Sequence, residues 1–234
     1  MDEQREVVRR DVAAHRTRTP VARLGFWSGI AAAISSVVFT VGAGLGISGV
    51  LGHPWDTAAA LIPSIVLAPS LVALFVSVHY SVTPDKRVWS HAALAFACIY
   101  APLCTAAYVV ELSVVQPLVL RGQADQVALL TLAQYGTQPN TVLSAFDGLG
   151  YAFLSLACLF AAPIFGGSRL ERWIRWMFVG TGVMGVPTIL TYFVNPGFLW
   201  LTLPWSITVP AFSALLAIYF KKLSPLIQSK ALPC

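Results

Sequence analysis

The stretch Val88-Trp-Ser-His-Ala-Ala-Leu-Ala-Phe-Ala-Cys-Ile-Tyr-Ala-Pro-Leu-Cys-Thr-Ala-Ala-Tyr108-Val-Val-Glu111-Leu-Ser-Val-Val-Gln116-Pro117 decides the fold. It runs for thirty residues and carries one carboxylate, Glu111. About 20 apolar residues are enough for a helix to cross the hydrocarbon core of a bilayer, so the stretch reads as a transmembrane segment. Its partner is the next apolar run, 142–165, which contains Leu143-Ser-Ala-Phe-Asp147-Gly-Leu-Gly-Tyr151 and a second isolated acid, Asp147. A charged side chain at the bilayer centre costs about 2.5–3.5 kcal/mol on insertion scales. Such residues face a cavity or a partner, and these two acids are where function is sought.

Working outward, four further apolar runs at 24–50, 57–82, 173–194 and 197–220 bring the count to six. Composition agrees: 57% of the 234 residues are hydrophobic and 11% are charged, against roughly 25% charged in soluble domains. The expected fold is an all-α polytopic helical bundle with six transmembrane helices. The expected divisions are a basic tail (1–23), the bundle (24–220) and a C-terminal tail (221–234), with no room for a soluble domain.

The net charge of +5 does not point to nucleic acid, because the basic residues follow the topology. Arg5, Arg9, Arg10, Arg16, Arg18 and Arg23 precede the first run; Lys86 and Arg87 lie between the second and third. Arg169, Arg172 and Arg175 follow the fourth, Lys221, Lys222 and Lys230 follow the sixth, and Arg121 alone falls on the other side. The positive-inside rule then places both termini in the cytoplasm of a multi-pass cell-membrane protein. The first run is too long and its flank too charged for a cleaved signal, so it reads as a retained anchor. Before it, Glu3 to Ala14 can form a short amphipathic helix.

Several local features carry expectations. Gly42, Gly44, Gly46 and Gly49 suggest close packing against another helix. In Gly52-His53-Pro54-Trp55-Asp56, Asp56 reads as the N-cap of a helix starting at Thr57. Pro63 and Pro69 recur as Pro204 and Pro210 at a constant offset of 141. This is either a duplicated kinked unit or coincidence in a proline-rich chain. Residues 123–135 read as a short external helix, a lid or an interfacial tile. His79 and His91 sit near one membrane interface, as headgroup-facing residues or a proton relay. The loop from Gly166 to Trp176 mixes arginine with tryptophan and reads as a headgroup anchor. No metal or cofactor is expected, since no close-set ligand pattern such as HExxH occurs. Cys98, Cys104 and Cys158 read as small buried hydrophobes.

Glu111 lies six residues before Pro117, and Asp147 six after Thr141. At 1.5 Å per residue this sets both about 9 Å below the outer surface, as a coupled carboxylate pair. One acid held protonated, beside an ionised partner, suits general acid–base chemistry. The candidate catalytic residues are Glu111 and Asp147, and the candidate substrate-binding residues are Tyr108, Gln116, Tyr151, His53 and Asp56. With one basic residue outside, a diphosphate substrate lacks its counter-charge, and a neutral lipid-like or isoprenoid molecule fits better. The partners expected are therefore membrane lipid and a hydrophobic small molecule. Two alternatives stand beside this intramembrane cyclase or isomerase. One is a proton-coupled transporter or receptor using the same acids; in the other, each acid bonds locally and pins helices together.

In architecture and acid chemistry the chain resembles the small integral-membrane terpene cyclases, without a shared motif. The stretch Ser168-Arg-Leu-Glu-Arg-Trp-Ile-Arg-Trp176, with Trp27-Ser-Gly-Ile30, is also similar to a bacterial group of uncharacterised six-helix membrane proteins. That resemblance implies the fold and no activity.

Overall fold

The computed structural model describes residues 2–132, 141–195, 198 and 201–229. The described chain is helical, and six helices are long and apolar enough to cross a membrane. Helix α1 runs Asp2–Ile47 and α2 Trp55–Ser81. A third rod is built from α3 (Arg87–Val110), one π turn (Glu111–Val115) and α4 (Gln116–Leu120). Helix α5 spans Val142–Ala161, α6 Arg169–Val183, α7 Gly185–Phe193 and α8 Trp205–Ser229.

Four boundaries differ from the sequence reading, each for a local reason. The first helix is continuous from Asp2, with Pro20 inside it, where a short helix over Glu3 to Ala14 and a separate span from 24 were expected. The fifth span breaks at Met184, because Pro187 has no N–H to return to the carbonyl of Val183. The sixth helix begins at Trp205, eight residues later than expected, where Pro204 presents its carbonyl to the N–H of Thr208 at 2.9 Å. The helix expected over 123–135 appears, among the described residues, as a single 3-10 turn at Ala124–Val127; 133–140 lie outside the description.

Helix α1 packs against α2 and α8, α3 against α2 and α5, and α6 against α5 and α8. The rods approach closely where side chains are small, as is usual between helices in lipid. A Cβ on Gly42 would stand 2.6 Å from the carbonyl oxygen of Ala59, so that position requires glycine for α1 to meet α2. Gly44, expected on the same packed face, has open space instead. Gly150 on α5 lies directly against the thiol of Cys104 on α3. In the half of the bundle nearer the basic loops, Phe178 is the hub of an aromatic core. Its ring lies 4.8 Å from Phe212, 5.8 Å from Phe165 and 5.9 Å from Phe75. Around this core α1 to α8 expose Ile34, Val38, Ile62, Val66, Leu156 and Ile207, which suits a lipid-facing surface.

The basic end is tied together by Lys86, whose ammonium donates to the carbonyl of Ile164 at 2.6 Å. At the opposite end the segment after α4 folds back onto the bundle. Val127 is buried, and the N–H groups of Val142 and Leu143 donate to Leu129 and Leu130. Thr141 caps α5, accepting from the Ser144 N–H at 3.4 Å.

Candidate functional site

Polar contacts sort the seven candidate residues into three groups. The first is built on α3 and α5. Tyr108 and Asp147 are buried, and the Tyr108 hydroxyl oxygen lies 2.6 Å from Asp147 Oδ1 and 2.8 Å from the hydroxyl of Tyr151. Tyr108 has one hydroxyl proton. The carboxylate is the stronger acceptor, and 2.6 Å is typical of a hydroxyl bonded to a carboxylate. With the carboxylate ionised, Tyr108 therefore donates to Asp147 and accepts a hydrogen bond from Tyr151, giving a directed chain Tyr151→Tyr108→Asp147. Asp147 and Tyr151 fall on one face of α5 by their i, i+4 spacing, which is why one tyrosine across the interface can meet both.

Aromatic rings wall this chain. The Tyr151 ring lies 4.6 Å from Trp205 on α8 and 6.2 Å from Tyr100 on α3. The Trp205 indole N–H donates to the carbonyl of Thr181 at 3.0 Å, which fixes the ring against the last turn of α6. The Cys104 thiol lies 3.9 Å from the carbonyl oxygen of Asp147. Trp205, Tyr100 and Cys104 were absent from the sequence candidates. The Pro204-Trp pair marked the start of a helix, but nothing local in the sequence says which ring it will meet.

The second group is Glu111 with Gln116. Glu111 is 1% exposed; its Oε1 accepts from the Gln116 side-chain amide at 2.7 Å and its Oε2 from the backbone N–H of Leu132 at 2.8 Å. The π turn makes the first bond. In an α-helix at about 100° per residue, positions five apart point roughly 140° away from each other. Here the Gln116 N–H bonds to the carbonyl of Glu111, five residues back, and the wider turn brings the two side chains together. Pro117 supplies the cause, since a proline ring clashes with the carbonyl four residues earlier and lacks an N–H of its own. Such π turns are frequent at functional sites. Gln116 Oε1 is buried with no partner among the described residues.

The third group is His53 with Asp56, whose Nδ1 and Oδ1 are 3.9 Å apart. Asp56 sits inside the first turn of α2, which starts at Trp55, so it is not the cap expected before Thr57. It still accepts from the Thr57 N–H at 2.7 Å.

No hydrogen bond joins Glu111 to Asp147 among the described residues. Nor are they level. Cys104 lies against Gly150, and in an antiparallel pair that register sets residue 111 opposite about 143. Glu111 therefore lies about one turn, roughly 6 Å, nearer the Leu120 end of the rod than the level of Asp147. The expectation of one depth took Pro117 as the end of the rod, and the rod continues through the π turn to Leu120.

Elsewhere, His79 and His91 meet across the short α2–α3 connection, with ring centroids 4.2 Å apart and His79 Nδ1 2.9 Å from Ser90 Oγ. Among the described residues no group of three or more His, Cys, Asp or Glu is placed to hold a metal. No family model, curated protein or solved structure matches the chain.

Proposed function

We propose that the protein is a multi-pass cell-membrane protein with both termini cytoplasmic, acting on a neutral lipid-like or isoprenoid molecule through acid–base chemistry at Asp147. The observation that supports this reading is the Tyr151→Tyr108→Asp147 chain under the rings of Trp205 and Tyr100. A carboxyl that exchanges protons through two phenols suits proton transfer, and aromatic faces suit an unsaturated chain or a passing cation. Loaded with a proton, Asp147 gives it to a carbon–carbon double bond; the cation closes on a second double bond. Loss of a proton from a neighbouring carbon back to the carboxylate restores the acid, and the product is an isomer of the substrate. In this scheme Glu111 is a positioning residue, because both its oxygens are bonded to the protein's own N–H groups.

The test uses the full chain in nanodiscs in deuterated water with squalene, a polyprenol and a menaquinone as probes. The expected product is an isomer of one probe carrying a solvent deuteron, formed by wild type and lost in Asp147→Asn. Unchanged probes with wild-type protein would sink the enzymatic reading.

One observation favours a second reading, a proton-coupled transporter or receptor. Thr208 Oγ1 and Ser213 Oγ on α8, beyond Trp205 in the helix, are buried with no partner among the described residues, and Ser155 bonds the Thr181 carbonyl at 3.4 Å. Polar groups continuing inward suit a path, where a cyclase needs a closed pocket. Proton flux in liposomes under a pH gradient, lost in Asp147→Asn, would choose this reading.

A further inference from the structure

The face of α6 nearest its start carries Arg169, Arg172, Trp173 and Trp176, spaced i, i+3, i+4 and i+7 and therefore on one stripe of the helix. These four residues line an open cleft of about 320 Å³. Both tryptophans are exposed, Trp173 by 52% and Trp176 by 64%. Neither arginine has a hydrogen-bond or ion-pair partner among the described residues.

The nearest carboxylate is committed elsewhere: Glu171 accepts from the Gly167 N–H at 2.8 Å and the Gly166 N–H at 3.3 Å. Ser168 caps the helix by accepting from the Glu171 N–H at 3.2 Å. The first-turn N–H groups are thus partly satisfied internally, and the cleft depends on its side chains.

From this geometry we infer that the cleft binds the phosphate of an anionic glycerophospholipid. Two guanidinium forks match phosphate oxygens in pairs. The indoles place an apolar body toward the acyl region and an N–H donor at headgroup level, where tryptophan concentrates. Charge complementarity selects the ligand, since two cations with no partner among the described residues, beside two exposed indoles, favour a net-negative lipid over a zwitterionic one. The site is independent of the chemistry proposed at Asp147 and sits on the bundle's basic end. Its occupant would brace α6, whose carbonyl at Thr181 holds Trp205.

The experiment is native mass spectrometry of the full-length protein in detergent with phosphatidylglycerol or phosphatidylcholine of identical acyl chains. Two basic side chains at a charged surface give a preference of about thirtyfold for the anionic lipid. The double variant Arg169→Gln/Arg172→Gln should bring the two lipids within about twofold of each other. Arg121→Gln, between α4 and α5, should leave the preference intact. Among the described residues neither cleft arginine bonds within the protein, so melting without lipid should be unchanged and separates a binding loss from a folding loss. Equal retention of the two lipids by wild type overturns the inference, as does a preference that survives the double variant. Displacement of the lipid by millimolar inorganic phosphate reassigns the cleft to a soluble anion and also overturns it.

Discussion

Glu111 and Asp147 are both buried acids on neighbouring rods, one turn apart in depth, and their surroundings differ. Glu111 stands on a π turn and uses both oxygens, one on a side-chain amide of its own rod and one on a backbone N–H twenty-one residues away. Asp147 stands on a regular helix and receives a phenol that itself receives a phenol. A backbone N–H cannot give up its proton, so Glu111 is held in one bonding state. A phenol chain can pass protons, so Asp147 is connected. Burial alone does not mark a chemical acid; the nature of its donors does.

The strongest way to break this contrast is to neutralise each acid. Losing a positioned acid typically costs 10²–10⁴-fold in rate. Asp147→Asn should lower the turnover or proton flux of the functional assay by that factor and leave melting in detergent close to wild type. Glu111→Gln should do the reverse, with activity per folded molecule largely kept and the melting temperature lowered. Equal activity losses in both variants, with equal stability, would mean that the acids work as one unit.

Next in size is the cost of removing Glu111's oxygens altogether. Glu111→Ala leaves the Leu132 N–H and the Gln116 amide buried without acceptors, and each orphaned donor costs about 1–3 kcal/mol. Chemical unfolding in detergent should show a loss of about 3 kcal/mol. Hydrogen exchange should quicken first at 127–132, the segment that Glu111 holds against the start of α5. Protection unchanged in that segment would show that Glu111 does not fasten it.

Smaller again is the effect of shortening the phenol chain. Tyr151→Phe keeps the ring against Trp205 and removes only the outer hydroxyl, so packing should be retained. Because Tyr108 still bonds Asp147, the loss should be about tenfold, less than for Tyr108→Phe, which removes the phenol bonded directly to the carboxylate. An equal loss in the two variants would remove direction from the chain.

The six helices were legible because length and apolarity suffice to identify a span, and Glu111, Asp147, Tyr108, Gln116 and Tyr151 stood out as polar groups in apolar runs. Their partners were legible only in part. The pairing of Asp147 with Tyr151 follows from helix periodicity, whereas Tyr108 depends on the register of α3 against α5, set by Gly150 on Cys104. The Leu132 donor is a backbone group with no side-chain signature. Trp205 meets Tyr151 from the first position of α8, which the apolar run 197–220 does not mark. A proline in an apolar run announces a disturbance without naming it: Pro187 breaks a helix, Pro63 and Pro69 lie within an intact one, and Pro117 widens a turn.

That last case yields the smallest effect and the sharpest test of the contrast. If the ring of Pro117 imposes the π turn, Pro117→Ala restores a donor at 117 and removes the clash with the carbonyl of Ser113. The rod can then close as an α-helix, which rotates Gln116 away from Glu111 by most of a quarter turn or more. Global stability should change little, because the lost Gln116 bond, about 1 kcal/mol, is offset by the added backbone bond and by better helix propensity at alanine. The change should be local. Exchange of the Leu132 amide should quicken several-fold as Glu111 swings with the rod, while the Tyr108–Asp147 contact, three residues inward and on the unaltered part of α3, keeps its protection and its activity. Slowed or unchanged exchange at Leu132 would mean that Glu111 is placed by the folded-back segment and not by the proline. Loss of activity would mean that the two acids share more than a rod.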